Sequence, residues 1–110
     1  MGTSWYDFGN GTTLGSAGSE SGITIRDEEF PLGARITLER ETRAAPFAIT
    51  CGIYGNMVHT RFFENETEAC AQYDSMRGTL SDILEAASEG GVDRRQVLFD
   101  GIAAFVEMYP

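Results

Sequence analysis

The chain has 110 residues, of which 42% are hydrophobic and 23% are charged, a composition typical of one folded domain. Its 17 acidic residues outnumber 8 basic ones, all of them arginines, and the formal net charge is −9 at pH 7. Binding to phosphate backbones or to anionic lipid requires clustered positive charge. We therefore expect neither nucleic acid nor membranes as partners.

The first 22 residues differ in composition from the rest of the chain. Six glycines are interspersed there with Ser and Thr, as in a flexible leader, but Trp5, Tyr6 and Phe8 form an aromatic cluster that favours burial. We predict that residues 1–22 are anchored by these aromatic side chains and precede a single domain over residues 23–110. The segment has no basic residue and no apolar run of membrane-spanning length, so we expect a cytoplasmic protein.

Two stretches alternate apolar and polar residues with a period of two, which predicts strands at residues 23–26 and 34–39. Between them, Phe30–Gly33 contains Pro and Gly and predicts a tight turn. Residues 43–46 end the second strand. This pattern predicts a first hairpin.

The second hairpin joins residues 47–54 to residues 57–63 through Gly55 and Asn56. We interpret the dipeptide as a two-residue turn, which fixes the register. The predicted core-face pairs are Ile53–Val58, Cys51–Thr60 and Ile49–Phe62. The predicted pairs on the opposite face are Tyr54–Met57, Gly52–His59, Thr50–Arg61 and Ala48–Phe63.

Asn65, with Glu68 three residues later, has the pattern of a capping box and predicts a helix over residues 66–88. Its apolar residues cover an arc of about 100°, as in a helix that packs on a sheet. They are Ala69, Tyr73, Met76, Leu80, Ile83, Leu84 and Ala87. Residues 64–91 also contain seven acids and a single arginine.

Asp93 and Gln96 repeat the capping pattern and predict a last helix over residues 94–109. Its apolar residues cover about 200° of the helical wheel, roughly twice the usual arc. Since one sheet face does not cover that much surface, we expect the first helix or a second copy of the chain to cover the rest.

These elements together predict an α+β fold. We expect a four-stranded, mainly antiparallel sheet built from two hairpins, with helices 66–88 and 94–109 packed on one of its faces. The strand order, and whether residues 3–15 add a strand, stay open.

No pattern in the sequence predicts a catalytic residue, a metal site or a cofactor. The chain has one His and two Cys without the spacing of zinc ligands. Asp7–Gly9 spells the DFG of protein kinases, but a chain without lysine cannot supply the kinase strand lysine. We interpret Cys51 and Cys70 as reduced structural thiols.

One cluster on the second face of the predicted sheet is a candidate ligand site. The register above places Thr50, Tyr54, His59 and Arg61 together, and Gly52 leaves space beside the imidazole. Hydrogen-bonding and titratable groups around a gap could bind a small anion or another small molecule, or act as a general base. The alternative is an ordinary polar surface on which His59 has no special role.

Three functions are therefore compatible with the sequence. The favoured one is a non-enzymatic, homodimeric association module. Its candidate interface residues are Trp5, Tyr54, Met57, Phe63, Phe99 and Val106. The second is a small-molecule binder or enzyme centred on His59 and Arg61. The third is an acidic inhibitor of a basic protein partner, steered by the carboxylates of the first helix.

Overall fold

Residues 4–110, the part of the chain that the computed structural model describes, form one antiparallel sheet of five strands and two long helices. The strands lie in the sheet in chain order: β1 (Tyr6–Asp7), β2 (Ile23–Phe30), β3 (Ala34–Arg40), β4 (Phe47–Ile53) and β5 (Met57–Phe63). The helices are α1 (Glu66–Ser88) and α2 (Arg94–Met108). The predicted α+β fold is confirmed, and β1 adds a short strand to the four expected. The predicted segment 1–22 begins with residues 1–3, which lie outside the described residues.

Helix α1 buries the residues that its sequence pattern predicts. Each of the seven apolar residues in the predicted stripe is buried, and the Asn65 side chain accepts a capping hydrogen bond from the Glu68 backbone N–H at 2.8 Å. Helix α2 starts where predicted but without the capping bond. Gln96 instead donates to Asp100 at 2.8 Å, and the Asp93 side chain makes no cap to any residue that the structure describes.

The hydrophobic core lies between α1 and one face of the sheet. Ile36, Leu38 and Ile49 from the central strands are fully buried against Tyr73 and Leu80 of α1. Helix α2 packs mainly on α1, and Phe105 is its one fully buried residue in the described chain. Leu98 and Ile102 are partly buried against the core, and Phe99, Val106 and Met108 of the apolar arc are exposed.

The predicted register of the second hairpin is wrong by one residue. The turn contains three residues, Tyr54–Asn56, with Gly55 at a positive φ of 77°. Ile53 consequently pairs with Met57, and every later pair shifts with it. A shift of one residue turns each side chain of a strand to the other face of the sheet. Met57, His59, Arg61 and Phe63 therefore face the helices, and Val58, Thr60 and Phe62 face away from them.

The face of the sheet opposite the helices is partly covered by residues 13–22, which we call the strap. The carboxylate of Glu39, which has no solvent exposure, accepts hydrogen bonds from the backbone N–H groups of Glu20 and Gly22, each at 3.1 Å. An ideal Cβ at Gly18 would lie 2.2 Å from the Glu39 carboxyl carbon, so only glycine fits there. These contacts fix the strap across β3.

The N-terminal aromatic residues pack against side chains of β2 and β3. Trp5 lies 5.2 Å from Phe30, measured between ring centroids, and Phe8 stacks on the guanidinium of Arg35 at 3.5 Å. None of the helices within residues 4–110 combines the length and hydropathy that a membrane crossing requires.

Candidate functional site

The four residues of the predicted ligand site separate into two pairs on opposite faces of the sheet. Thr50 lies on the face away from the helices, and Tyr54 lines the same side from the turn that follows β4. His59 and Arg61 lie on the helix face because of the three-residue turn. The prediction that these four side chains share one site, with Gly52 opposite His59, is therefore wrong. Gly52 pairs with Val58.

His59 and Arg61 hold the end of α2 against β5. The His59 Nε2–H donates a hydrogen bond to the Tyr109 carbonyl, and the imidazole meets Phe105 edge-on at 6.2 Å. Arg61 donates from Nε to the backbone oxygen of Pro110 at 3.2 Å and from Nη1 to Gln72 at 2.7 Å. These side chains therefore pack the C-terminal end of the chain against β5.

The open face of the sheet, opposite the helices, carries a row of polar side chains in register. Asp27 on β2 pairs with Thr37 on β3, which pairs in turn with Thr50 on β4. Thr50 pairs with Thr60 on β5, and we call Thr37, Thr50 and Thr60 the threonine row. The Thr50 hydroxyl lies 3.3 Å from the Thr60 hydroxyl and 3.4 Å from that of Ser19 in the strap.

The neighbouring row on the open face contains a gap. Glu29, Arg35, Gly52 and Val58 stand opposite one another across β2 to β5. Because Gly52 has no side chain, the surface is lower between Arg35 and Val58. Together with the strap, this gap forms a cleft.

The cleft has a volume of about 420 Å³ and lies between the strap and the open face. This volume is within the range of small-molecule sites, about 300–1,000 Å³. Hydroxyl groups are the commonest polar groups in its lining, and the Val58 side chain lies at its β5 end, where Met57 contributes its backbone. The lining includes Ser16, Ala17, Ser19, Thr24, Thr37, Thr50, Tyr54, Met57 and Val58.

Of the described residues that line the cleft, only Asp27 and Arg35 carry charge. They form a two-point ion pair, in which Arg35 Nε and Nη2 donate to the Asp27 oxygens at 2.9 and 2.7 Å. Thr13 also donates to Asp27 at 2.8 Å. The hydrogen bonds to Asp27 raise the pKa of Arg35, so Arg35 stays charged and lies directly against the carboxyl group in the wall of the cleft.

Tyr54 is held at the rim of the cleft by a carboxylate. Its phenol donates to Glu29, which also accepts from Tyr6 at 2.6 Å. These two hydrogen bonds lower the pKa of Glu29. Burial, and after it the bond to Glu29, raises the pKa of Tyr54 to about 12. Tyr54 is therefore a neutral phenol at physiological pH, and its hydroxyl is bound to Glu29.

The second candidate site is the outer edge of β5. Strand β5 is the last of the sheet, and its outer edge has no backbone hydrogen-bond partner among residues 4–110. Val58 and Phe62 project from this strand on the open face with relative exposures of 80% and 47%. The opposite edge differs, because β1 has only two residues and leads directly into a 3₁₀ turn.

The structure distributes the six predicted interface residues over different environments. Phe99, Val106 and Tyr54 are exposed. Trp5 and Met57 are partly buried against the core, and Phe63 is buried in it. Sequence reasoning missed Val58 and Phe62, because the predicted register placed them in the core.

Both cysteines are free thiols in the described chain. Cys51 belongs to the core, and burial raises its pKa to about 12. A thiol in this state is a poor nucleophile, because the thiolate is the reactive form. The interpretation of Cys51 as a structural residue agrees with its place in the core.

Comparisons with protein-family models, with curated proteins and with solved structures find no match to this chain.

Proposed function

We propose that the protein is a non-enzymatic association module that forms a homodimer by pairing β5 with the β5 of a second copy. The observation that supports this proposal best is the order of side chains along β5, which is self-complementary about Thr60. We expect the two strands to be antiparallel and related by a two-fold axis, as in most homodimers.

An edge strand of this kind favours pairing. Exposed strand edges carry unsatisfied backbone donors and acceptors, and proteins normally protect them by shortening, by proline or by outward charges. Strand β5 has seven residues and no proline, and its arginine faces the helices. The β1 edge is protected by its shortness, and β5 has no such protection.

A two-fold axis at Thr60 gives a specific set of contacts. Each Val58 lies opposite Phe62 of the second copy, and each Phe62 lies opposite Val58, so both exposed apolar residues gain an apolar partner on the same face. Thr60 lies opposite itself. The threonine row then continues across the axis into the second sheet, with the same residue type at each step.

The charge of β5 also suits contact with a second copy. Each chain carries a formal charge of −9, so most of its surfaces repel a copy of itself. Residues 57–63 contain no acid and a single arginine. Approach along β5 therefore brings together the part of the sheet that is least affected by that repulsion.

Helix α2 adds apolar surface near the same strand. It reaches the sheet at β5, where Phe105 and Tyr109 contact His59. Phe99, Val106 and Met108 are exposed on this helix. A second copy paired along β5 would approach α2, and burial of these side chains would contribute to the association.

The mass of the protein in solution tests the proposal. Light scattering at micromolar concentration should give about 24 kDa, twice the 12.0 kDa of one chain. Val58→Lys should reduce this mass to that of the monomer, because an ammonium group on the edge prevents pairing. Val92→Lys is the matched control, since Val92 is fully exposed outside β5. A wild-type monomer across the concentration range would overturn the proposal.

Cysteine cross-linking tests the register itself. Directly opposite residues of antiparallel strands lie within disulfide distance, with Cα atoms about 4.5–5.5 Å apart. In a Cys70→Ser background, Thr60→Cys should therefore cross-link with itself. Val58→Cys should cross-link only when it is mixed with Phe62→Cys. A dimer in which Val58→Cys cross-links alone as efficiently as Thr60→Cys would have a different register.

The cytoplasm is our proposed location, supported by the two free thiols, since disulfides are rare in reducing compartments. Fractionation of cells that express the full-length protein tests this assignment.

A further inference from the structure

The cleft has a chemistry of its own that strand pairing does not use. Its polar lining consists largely of Ser and Thr hydroxyls, namely those of Thr13, Ser16, Ser19, Thr24, Thr37 and Thr50. A hydroxyl group can both donate and accept a hydrogen bond and rotates to suit its partner. Such a lining is suited to ligand groups with the same dual character, and these are again hydroxyls.

Several of these hydroxyls are poorly satisfied within the protein. The Thr50 hydroxyl is 3.3 and 3.4 Å from its two hydroxyl neighbours, and the Thr37 hydroxyl is 3.3 Å from the Thr50 carbonyl. Good O–H···O hydrogen bonds span about 2.5–3.0 Å. A ligand oxygen that lies closer would therefore replace weak contacts with strong ones.

The charges around the cleft exclude an ionic ligand. Asp27 and Arg35 neutralise each other, and the Glu29 carboxylate beside the rim accepts from two phenols. An anion would lie near these carboxylates, and the one cation among the described lining residues, Arg35, is already bound to Asp27. A cation would have to compete with Arg35 for Asp27. The lining is therefore best suited to an uncharged ligand.

The apolar part of the lining is located at one end. The Tyr54 side chain, with 51% of the residue exposed, and Val58 stand at the β5 end, and Ala17 of the strap lies across from the sheet. A ligand with hydroxyls along one edge and C–H groups on one face would match both parts of the cleft. A pyranose ring has these features.

We propose that the cleft binds an uncharged saccharide of one or two rings, with its hydroxyls on Thr37, Thr50 and Ser19 and its C–H face on Tyr54. The size follows from the volume of about 420 Å³, near the lower limit for small-molecule sites. The hydroxyls and Tyr54 named here belong to a single chain and make none of the proposed β5 contacts. Val58 alone is shared with the proposed dimer.

Amide chemical shifts of the isotope-labelled full chain test this inference. The probes are glucose, galactose, N-acetylglucosamine and maltose, each raised to about 100 mM, a range that detects millimolar affinity. At least one of them should shift the amides of Thr37, Thr50, Gly52 and Tyr54 in a saturable way. Glucuronate and glucose 6-phosphate, the charged comparators, should shift them less.

Matched threonine variants then locate the site. Thr50→Val keeps the shape of the side chain and removes its hydroxyl, so the responding sugar should bind about five- to tenfold more weakly. Thr67→Val on the exposed surface of α1 should bind it as the wild type does. Thr37→Val provides a second test if Thr50→Val does not fold.

Three results would overturn the inference: no saturable shift at the cleft with any of the four sugars, equal binding of the charged comparators, or full affinity in both cleft variants. None of these results depends on the oligomeric state. Failure of the saccharide site and failure of the dimer are therefore distinguishable.

Discussion

Glu39 determines how the open face of the sheet is arranged. Its carboxylate is fully buried and accepts backbone N–H groups of the strap, at 3.1 and 3.3 Å from Glu20 and at 3.1 Å from Gly22. A buried charge is tolerated only when hydrogen bonds replace its lost hydration. The position of the strap therefore depends in part on the Glu39 side chain near the end of β3.

Replacing the Glu39 carboxyl group should loosen the strap. Glu39→Gln keeps the size of the side chain but turns an NH₂ group toward backbone N–H groups, so we expect the free energy of unfolding to fall by about 1–3 kcal/mol. Urea denaturation measures this loss. Glu85→Gln, at an exposed position of α1, is the control. An equal effect of the two variants would contradict the role assigned to Glu39.

Cys51 and Tyr54 predict the behaviour of the protein at high pH. In the folded state their pKa values are about 12, above the ordinary 9.0 for a thiol and 10.0 for a phenol. At a pH between the ordinary pKa of a group and its pKa in the folded state, the unfolded chain releases a proton that the native state retains. The free energy of unfolding therefore decreases as pH rises. These two groups should leave stability unchanged just below about pH 9 and make it decline toward about pH 12.

Urea denaturation as a function of pH measures this decline. Tyr54→Phe should remove the Tyr54 contribution and make the decline shallower. The contributions of Cys51 and of Tyr73, whose pKa is also raised by burial, should remain. Unchanged stability from pH 9 to pH 12 would contradict the raised pKa values of both groups.

At the scale of the secondary-structure elements, the two helices begin with the same sequence pattern but different structures. Asn65 caps α1 through its side chain, and Asp93 does not cap α2 through any described contact. Asn65→Ala should therefore cost about 1 kcal/mol of stability, and Asp93→Ala should cost much less. Thermal or urea denaturation of both variants compares them directly. Equal losses would show that the cap of α1 contributes nothing specific.

Some of these elements can be predicted from the spacing of nearby residues, and others cannot. The α1 stripe and the Phe30–Gly33 turn follow from spacing within a few residues, and both are predicted correctly. The register of β4 and β5 depends on whether Tyr54 belongs to the strand or to the turn. Both interpretations leave Ile49, Cys51 and Ile53 on the core face of β4. Only β5 distinguishes them, and its apolar residues occur on both faces.

The candidate site was predictable only in part, because it depends on contacts between distant residues. Thr50 and Tyr54 do line the cleft, since β4 was assigned to the right faces. The strap could not be foreseen, because Glu39 has the alternation expected of a solvent-facing strand residue. Whether residues 3–15 add a strand stayed open for a similar reason: the two residues of β1 are too few to show a period, and pairing with β2 alone defines the strand.

For the molecule as a whole, net charge and strand pairing act against each other. Two copies, each with a formal charge of −9, repel one another, and dissolved salt screens that repulsion over about 10 Å at 0.1 M. We therefore expect the proposed dimer to become tighter as salt is added. Sedimentation at low and high ionic strength measures the dissociation constant, with monomeric Val58→Lys as the reference. Weaker association in salt would indicate ion pairs across the interface and contradict pairing along β5.

The strap is attached to the sheet largely through its own backbone. Glu39 accepts main-chain N–H groups, Gly15 N–H donates to the Thr24 carbonyl at 2.8 Å, and Thr24 N–H donates to the Ser16 carbonyl at 2.9 Å. Side chains at positions 16, 17 and 19 can therefore be exchanged without detaching the segment that carries them. A library randomised at these three positions should retain its fold and vary in ligand preference, which makes this small domain a scaffold for engineered recognition.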